Sequence, residues 1–174
     1  MNSGKRLRID LRMQEVEMAE LKSVSYWDTS DSEYPFYPIL APTRVGDAGI
    51  DLRSTEHVTL SPGAIKVVPT GLHIKMPSDL TALVCPRSGM ATKGITIVNS
   101  PGIVDSNYVG EIKAILANLG SADYVIDVGD RIAQLLFQVV PEVSTYYNAT
   151  LERAYAAGED MTVRGSQGFG SSGK

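Results

Sequence analysis

Apolar residues recur at every second position in several short stretches of the chain, and this period limits its fold more than any other feature. A period of two places alternate side chains on opposite faces of a β-strand, whereas a helical face needs a period of about 3.6. Gly, Pro and Asn interrupt the stretches, as is typical of turns between strands. In chain order the stretches are "RLRIDLRM", "IKVVPTGLHIKM", "TALVC", "GEIKAILANL" and "DRIAQLLFQVV". The sequence therefore predicts an all-β sandwich or barrel of short strands.

Helical patterns are rare in the chain. One short helix is predicted in "NATLERAYAAG", where Asn148 has the side chain of an N-cap and Gly158 follows the expected C-terminus. The stretch "QEVEMAELK" fits a strand about as well as a helical face. Residues 22–42 carry aromatic residues, Asp, Ser and three prolines, which favours a long surface loop. They end an extended N-terminal strand and loop region that is predicted over residues 1–42.

The composition narrows the class of protein. A chain of 174 residues with 43% hydrophobic and 21% charged residues is long enough for one globular domain. Its apolar runs fall short of the roughly 18 residues that a membrane span needs, and its N-terminus lacks the apolar part of a signal peptide, so we expect a cytoplasmic protein without a membrane partner. A net charge of −4 disfavours nucleic acid as a partner. The two histidines, His57 and His73, and the one cysteine, Cys85, leave few members for a zinc site or a Ser-His-Asp triad.

Five segments, two of which overlap the predicted strands, concentrate Gly, Arg, Asp and Asn residues. They are "DAGIDLRS" (47–54), "PRSGMATKG" (86–94), "NSPGIVDSNYVGEIK" (99–113), "GDRIAQLLF" (129–137) and the C-terminal "RGSQGFGSSGK" (164–174). The second segment would present the Arg87 guanidinium, the Ser88 hydroxyl and backbone N–H groups together, which suits a phosphate. The third is hairpin-like. Taken singly, each segment also has an ordinary explanation as a strand-ending turn, a hairpin or a flexible polar tail.

In this order the five segments resemble the motifs of the trimeric dUTP pyrophosphatases, from about Asp47 to Gly173. The resemblance implies an all-β, jelly-roll-like distorted β-barrel of short strands with at most one short helix. It also implies dUTP as the substrate, Mg²⁺ as the cofactor and a homotrimer with shared active sites. One domain would cover residues 1–163, and residues 164–174 would form a flexible C-terminal lid.

The same resemblance implies roles for individual residues. Asp105 would hold and activate the water that attacks the α-phosphorus. Tyr108 would stack under the deoxyribose, and Arg164 and Phe169 would contact the γ-phosphate and the uracil. The Mg²⁺ ion would be held by the triphosphate without direct protein ligands, with Asp51 and Gln134 near its water shell. The full set of implied substrate-binding residues is Arg87, Ser88, Gly89, Asn99, Gly102, Ile103, Val104, Tyr108, Lys113, Gln134, Arg164, Phe169, Gly170 and Ser171.

The chain departs from the family pattern at three places, one of which is Gly94, which follows Lys93 directly where some members have one more residue. Val109 stands where the family usually has Arg after the tyrosine, and residues 1–42 exceed the usual lead strand. Two alternatives to the hydrolase therefore stay open: a dCTP-deaminase-like enzyme, and a nucleotide-gated regulatory protein that uses the same site to control a protein partner.

Overall fold

The protein is described here from a computed structural model, which defines residues 22–30 and 40–158. These residues fall into two compact units, one before and one after the bond between Val140 and Pro141. The predicted strand "RLRIDLRM" and the ambiguous stretch "QEVEMAELK" lie outside the described residues. None of the helices found in the described ranges is long and apolar enough to span a membrane.

Most of the regular structure is β-strand. The strands are β1 (Ser25–Asp28), β2 (Ile50–Arg53), β3 (Val58–Leu60), β4 (Ile65–Lys75), β5 (Leu80–Cys85), β6 (Ile95–Ile97), β7 (Gly102–Val104), β8 (Glu111–Asn118), β9 (Tyr124–Ile126) and β10 (Arg131–Val139). The helices are α1 (Ser88–Ala91) and α2 (Ala149–Ala156).

The strands form three antiparallel sheets. Their orders are β1-β4-β8-β6, β2-β10-β5-β7 and β3-β9. The prediction of an all-β fold of short strands is confirmed. In the part of the chain that the structure describes, the sheets do not close into one barrel. The four-residue helix α1 was not predicted, because it lies inside the segment that was interpreted as a turn.

The core confirms the alternation seen in the sequence. In β5, Leu80, Ala82 and Val84 are buried, while the residues between them are partly exposed. The side chain of Asn118 is also buried, and it donates to the carbonyl oxygens of Leu60 and Ala122 at 2.7 and 2.8 Å. A buried amide with such partners avoids the cost of an unsatisfied polar group and connects β8 to the end of β3 and to the loop before β9.

The prediction of a loop over residues 22–42 is wrong for its first part. β1 pairs with β4, and the Trp27 ring stacks on the His73 ring with 4.9 Å between their centroids. Tyr26 and Trp27 stay 36% and 43% exposed, so β1 shows no buried alternation by which the sequence could reveal a strand. Its pairing depends on residues more than forty positions away along the chain.

β4 contains a bulge next to β1. Its pairing with β8 shifts in register between Pro69 and His73, and Gly71 lies there with φ of +71°. The carbonyl oxygen of Gly71 accepts a 2.8 Å hydrogen bond from the backbone N–H of Thr29. A Cβ at Gly71 would lie 2.9 Å from the backbone nitrogen of Ser30, so glycine is required for both its conformation and its space.

Helix α2 belongs to the second unit and begins where the sequence predicted. The Asn148 side-chain oxygen accepts hydrogen bonds from the backbone N–H groups of Thr150 and Leu151, both at 3.1 Å. Gly158, just past the end, has φ of +76°, the left-handed conformation that often terminates a helix. Both predicted ends of this helix are confirmed.

Candidate active site

The "PRSG" segment follows β5 directly and forms one turn of helix. Arg87 is the residue before α1, and its carbonyl oxygen accepts hydrogen bonds from Met90 and Ala91, both at 3.0 Å. The first backbone N–H groups of a helix have no acceptor inside it, so the N–H groups of Ser88 and Gly89 are the ones that this geometry leaves for other acceptors. Both residues are exposed, and nothing lies within 4 Å of where a Cβ on Gly89 would be.

Asp51 joins two arginines at the end of this sheet. Its Oδ1 accepts from Arg87 Nε at 2.8 Å, and its Oδ2 accepts from Arg131 Nη1 at 3.2 Å. The Asp51 side chain is 21% exposed, so these charge-assisted bonds are partly shielded from water. Arg87 also donates from Nη1 to the carbonyl oxygen of Arg131 at 3.1 Å, which fixes the plane of its guanidinium.

Gln134 lies on β10, beside the same end of the sheet as Asp51. Its Nε2 donates to the carbonyl oxygen of Pro86 at 2.9 Å. A Cβ on Gly49 would overlap the Gln134 side-chain oxygen, which explains the glycine in "DAGIDLRS". The amide nitrogen of Gln134 is therefore engaged with the "PRSG" segment, and its oxygen faces the turn that precedes β2.

These residues line one cleft of about 660 Å³. We call it the arginine cleft, and its charged members are Arg44, Asp47, Asp51, Arg87 and Arg131. Ser88, Gly89 and Gln134 also line it. The cleft contains three guanidinium groups and two carboxylates, and Asp51 is already paired with arginines. This excess of positive charge makes the cleft suited to an anion with several negative charges.

The segment from Asn99 to Lys113 does not form the predicted hairpin. β7 pairs with β5, whereas β8 pairs with β4 and β6, so the intervening residues 105–110 cross from one sheet to the other. The hairpin interpretation is wrong because Asp, Asn and Gly favour a turn without specifying which strands pair on either side of it.

The crossing segment holds Tyr108 in a defined place. The Tyr108 hydroxyl donates to the carbonyl oxygen of Glu111 at 2.9 Å. The backbone N–H of Tyr108 donates to the carbonyl oxygen of Asp105 at 3.0 Å. The ring lies so close to Gly110 that a Cβ there would overlap it. The side chains of Asp105 and Tyr108 therefore project from a short, internally bonded turn.

A second cleft, of about 270 Å³, lies beside this turn. We call it the Asp105 cleft. The predicted site residues that line it are Asn99, Gly102, Ile103, Val104, Asp105, Tyr108 and Lys113. Its polar groups stand on an apolar floor that includes Val84 and Ile112, an arrangement typical of small-molecule sites.

The predicted site residues are thus brought together in two groups. Arg87, Ser88, Gly89, Asp51 and Gln134 line the arginine cleft, and the two clefts have no lining residue in common. Arg164, Phe169, Gly170 and Ser171, with the predicted lid 164–174, lie outside the described residues. Across residues 22–30 and 40–158, no three His, Cys, Asp or Glu side chains are arranged to hold a metal ion.

Two residues of these clefts lie within the five sequence segments, but the sequence predicted no role for them. Arg131 in "GDRIAQLLF" completes the Asp51 pair, and Glu111 in "NSPGIVDSNYVGEIK" contacts Lys113. Their positions inside the motifs were the available signal. Their partners were not predictable, since Asp51 and Arg131 are 80 residues apart.

The sequence profile of the dUTPase family matches residues 37–173. The chain belongs to the dUTPase family. Among curated relatives, the deoxyuridine 5'-triphosphate nucleotidohydrolase of Mesorhizobium japonicum is 45% identical over 141 residues, which cover 78% of this chain and 83% of that protein. The protein of the same name from Mycobacterium tuberculosis is 46% identical over 141 residues, covering 80% and 90%. The predicted family is confirmed, and these names do not favour the dCTP deaminase or regulatory alternatives.

Among solved structures, the dUTPase of Staphylococcus bacteriophage 80alpha superposes with a TM-score of 0.70. The match covers 87% of this chain and 99% of the other at 24% sequence identity. At that identity the likeness supports the fold alone. It confirms the jelly-roll-like architecture that was predicted for this dUTPase family member.

Proposed function

We propose that this dUTPase family member hydrolyses dUTP to dUMP and pyrophosphate by attack of water on the α-phosphorus. The observation that carries the proposal is the pair of clefts: one presents guanidinium groups suited to a polyphosphate, and the other presents Asp105 beside a pocket suited to a small planar ligand. The reaction would supply dUMP for dTMP synthesis and keep uracil out of DNA.

Uracil selectivity is assigned to the Asp105 cleft. Asn99 and the backbone of residues 102–104 offer hydrogen-bonding groups to the base edge, and a close wall excludes the methyl group of thymine. A pocket with fixed polar partners discriminates strongly, because a wrong base leaves those partners unpaired. Tyr108, held by its hydroxyl, would lie against the deoxyribose and leave no room for a 2′-hydroxyl.

Catalysis is divided between Asp105 and the cations. A positioned general base contributes about 10²–10⁴-fold, whereas enzymes accelerate reactions by about 10⁶-fold or more. The remainder is assigned to alignment of the water and to positive charge on Arg87, Lys113 and Arg164, which would stabilise charge moving to the pyrophosphate leaving group.

The residues of the arginine cleft fit a Mg²⁺ ion that the triphosphate carries, rather than one that the protein binds directly. Both carboxylate oxygens of Asp51 are engaged by arginines, and the Gln134 oxygen is a neutral acceptor suited to a metal-bound water. When bound, Mg²⁺ neutralises phosphate charge. Asp51 would serve chiefly to hold Arg87 and Arg131 in place for the phosphates.

A homotrimer with shared sites would bring the two kinds of cleft together. On one chain the two clefts share no lining residue, and the proposed arrangement has the arginine cleft of one subunit facing the Asp105 cleft of another. Ile65 and Val67 on β4 and Ile103 on β7 are 60%, 56% and 69% exposed, and subunit contact would bury such apolar side chains. Residues 164–174 are proposed as the lid, with Arg164, Phe169, Gly170 and Ser171 closing over the nucleotide.

Pyrophosphate release from four nucleotides tests the proposed function. With Mg²⁺ present, we expect release from dUTP and far slower release from dCTP, dTTP and UTP, since each differs from dUTP in one feature that the pocket reads. Comparable rates with all four nucleotides, or deamination of dCTP, would contradict the proposal.

A further inference from the structure

Glu111 stands at the rim of the Asp105 cleft with both of its carboxylate oxygens occupied. Oε1 accepts hydrogen bonds from the backbone N–H groups of Thr70 and Gly71, at 3.1 and 2.9 Å. Oε2 lies 3.2 Å from Lys113 Nζ. Its backbone carbonyl oxygen is the acceptor for the Tyr108 hydroxyl. One residue therefore contacts two of the groups assigned to nucleotide binding.

The Glu111 carboxylate is held in place by backbone N–H groups of the fold. The two N–H groups belong to the β4 bulge, whose far side is fixed by the hydrogen bond from Thr29 to Gly71. Partial burial raises the pKa of Glu111, but the hydrogen bonds from Gly71, Lys113 and Thr70 outweigh it and bring this pKa below its ordinary value. The group is thus anchored as a carboxylate.

The anchored carboxylate matters for Lys113 because lysine is flexible. Lys113 and Glu111 are two residues apart on β8, so both side chains leave the same face of the strand. The Lys113 side chain is 48% exposed, whereas that of Glu111 is 21% exposed. An ordinary exposed pair of this kind contributes little, since both partners move. Here one partner is fixed, so the pair restricts the ammonium group to the cleft.

Glu111 also carries a negative charge, which opposes binding of an anionic nucleotide. If that charge were its main influence, its removal would strengthen nucleotide binding. If its contact with Lys113 were the main influence, its removal would weaken turnover. The two effects have opposite signs and can be separated.

We propose that Glu111 is a positioning residue, which holds the Lys113 ammonium group in the Asp105 cleft for contact with the nucleotide. The proposal rests on the proposed function of Lys113. It assigns no direct contact between Glu111 and the substrate.

Glu111→Gln tests this role. Glutamine keeps a carbonyl oxygen for the two bulge N–H groups but loses the charge that attracts Lys113. We expect kcat/KM for dUTP to fall on the order of tenfold, because a small displacement of a binding group is costly in rate. The variant should remain folded, with a melting temperature lowered only by the stabilising contribution that the ionised carboxylate makes at neutral pH. Unchanged or improved kcat/KM would overturn the proposal.

Lys113→Met completes a double-mutant cycle. If Glu111 acts through Lys113, Glu111→Gln should have no further effect on kcat/KM in the Lys113→Met background. Additive losses would overturn the proposal and show a separate role for Glu111. If Glu111→Gln does not fold, Glu111→Asp, which keeps the charge and shortens the reach, takes its place in the same cycle with the same two outcomes.

A measurement that does not depend on dUTP hydrolysis separates this proposal from the proposed function. Acylation of Lys113 should increase in Glu111→Gln, since the amine loses its partner. The extent of acylation is measured by mass spectrometry, with the exposed Lys66 of β4 as the internal reference. Equal labelling of Lys113 in both proteins would overturn the positioning role. Absence of dUTP hydrolysis by the wild type would instead contradict the proposed function and leave the labelling result to decide the Glu111–Lys113 contact.

Discussion

Asp51 shows how much a single side chain organises in this molecule. Its two oxygens engage Arg87, directly before α1, and Arg131, at the start of β10, and the resulting group lines the arginine cleft. The sequence placed Asp51 near a metal's water shell, and the geometry favours a role in orienting guanidinium groups. A charge-assisted hydrogen bond to a partly buried group is worth about 1.5–3 kcal/mol.

Asp51→Asn should therefore weaken nucleotide binding. The amide keeps one acceptor oxygen and presents a donor to the other arginine, so one of Arg87 and Arg131 loses its contact. We expect KM for dUTP to rise about tenfold, measured by pyrophosphate release. Asp123→Asn, an exposed carboxylate before β9, is the matched control and should leave KM unchanged. An unchanged KM in Asp51→Asn would contradict the orienting role.

Asp105→Asn separates chemistry from binding. Loss of the base should lower kcat by at least about 10²-fold, while binding of a non-hydrolysable dUTP analogue, measured by calorimetry, should persist. Asp105 is exposed on the crossing segment, so the fold does not depend on its burial. Equal losses of binding and turnover would mean that Asp105 has a structural role instead.

Glu111 also predicts a dependence of stability on pH. Its pKa in the folded protein lies below the ordinary value of 4.5, so its stabilising contribution is complete above that value and is lost as the pH falls through the folded pKa. The free energy of unfolding should therefore decrease on acidification below about pH 4.5, and Glu111→Gln should reduce this decrease. Chemical denaturation at a series of pH values measures both, and parallel curves for the two proteins would refute the assignment.

At the scale of elements, the β4 bulge connects three parts of the fold. It breaks the register between β4 and β8, lies against the end of β1 and directs two N–H groups to Glu111. β1 lies within residues 1–42, and its contact with the bulge gives this part of the N-terminal region a structural role. The glycine in the bulge makes this arrangement testable.

Gly71→Ala should destabilise the first unit more than Gly63→Ala does. Both glycines have positive φ, of +71° and +76°, so both substitutions introduce about 1–2 kcal/mol of left-handed strain. Only at Gly71 would the new Cβ also meet the backbone of Ser30, at 2.9 Å, whereas nothing lies within 4 Å at Gly63. Thermal unfolding of the two variants measures the difference, and equal melting temperatures would show that the β1 contact contributes nothing.

At the scale of the whole molecule, the separation of the two clefts leads to the proposed trimer. Asp105 and Arg87 line different clefts of one chain, and the proposed reaction places both near one nucleotide. Exposed apolar side chains on β4 and β7 supply surface that assembly would bury. In the proposed trimer, each active site would contain Asp105 from one subunit and Arg87 from another.

Mixed assemblies test this directly. Asp105→Asn and Arg87→Ala should each be nearly inactive alone, but their co-expression should restore turnover, because some sites then receive an intact Asp105 from one subunit and an intact Arg87 from another. Turnover of the mixed preparation, compared with each variant at equal concentration, is the measurement. No recovery in mixed assemblies of confirmed trimeric mass would place both residues in one subunit's site.

Several features of this protein were determined by the sequence alone because they depend on neighbouring residues. Apolar alternation identified β4, β5, β8 and β10, since the period of a strand is local. Asn148 and Gly158 marked the ends of α2 because capping acts within a few residues. The motif order identified the family.

Only the tertiary structure decided which distant residues meet. It paired β1 with β4, assigned β7 and β8 to different sheets, and brought Asp51 to Arg131 and Glu111 to the bulge of β4. Except for the pairing of β7 with β5, these contacts join residues 40 to 80 positions apart, and the local pattern is the same whether or not they form. Strand pairing depends on the packing of the whole core, which is why turn-forming residues at 105–110 predicted a turn but not the crossing between sheets.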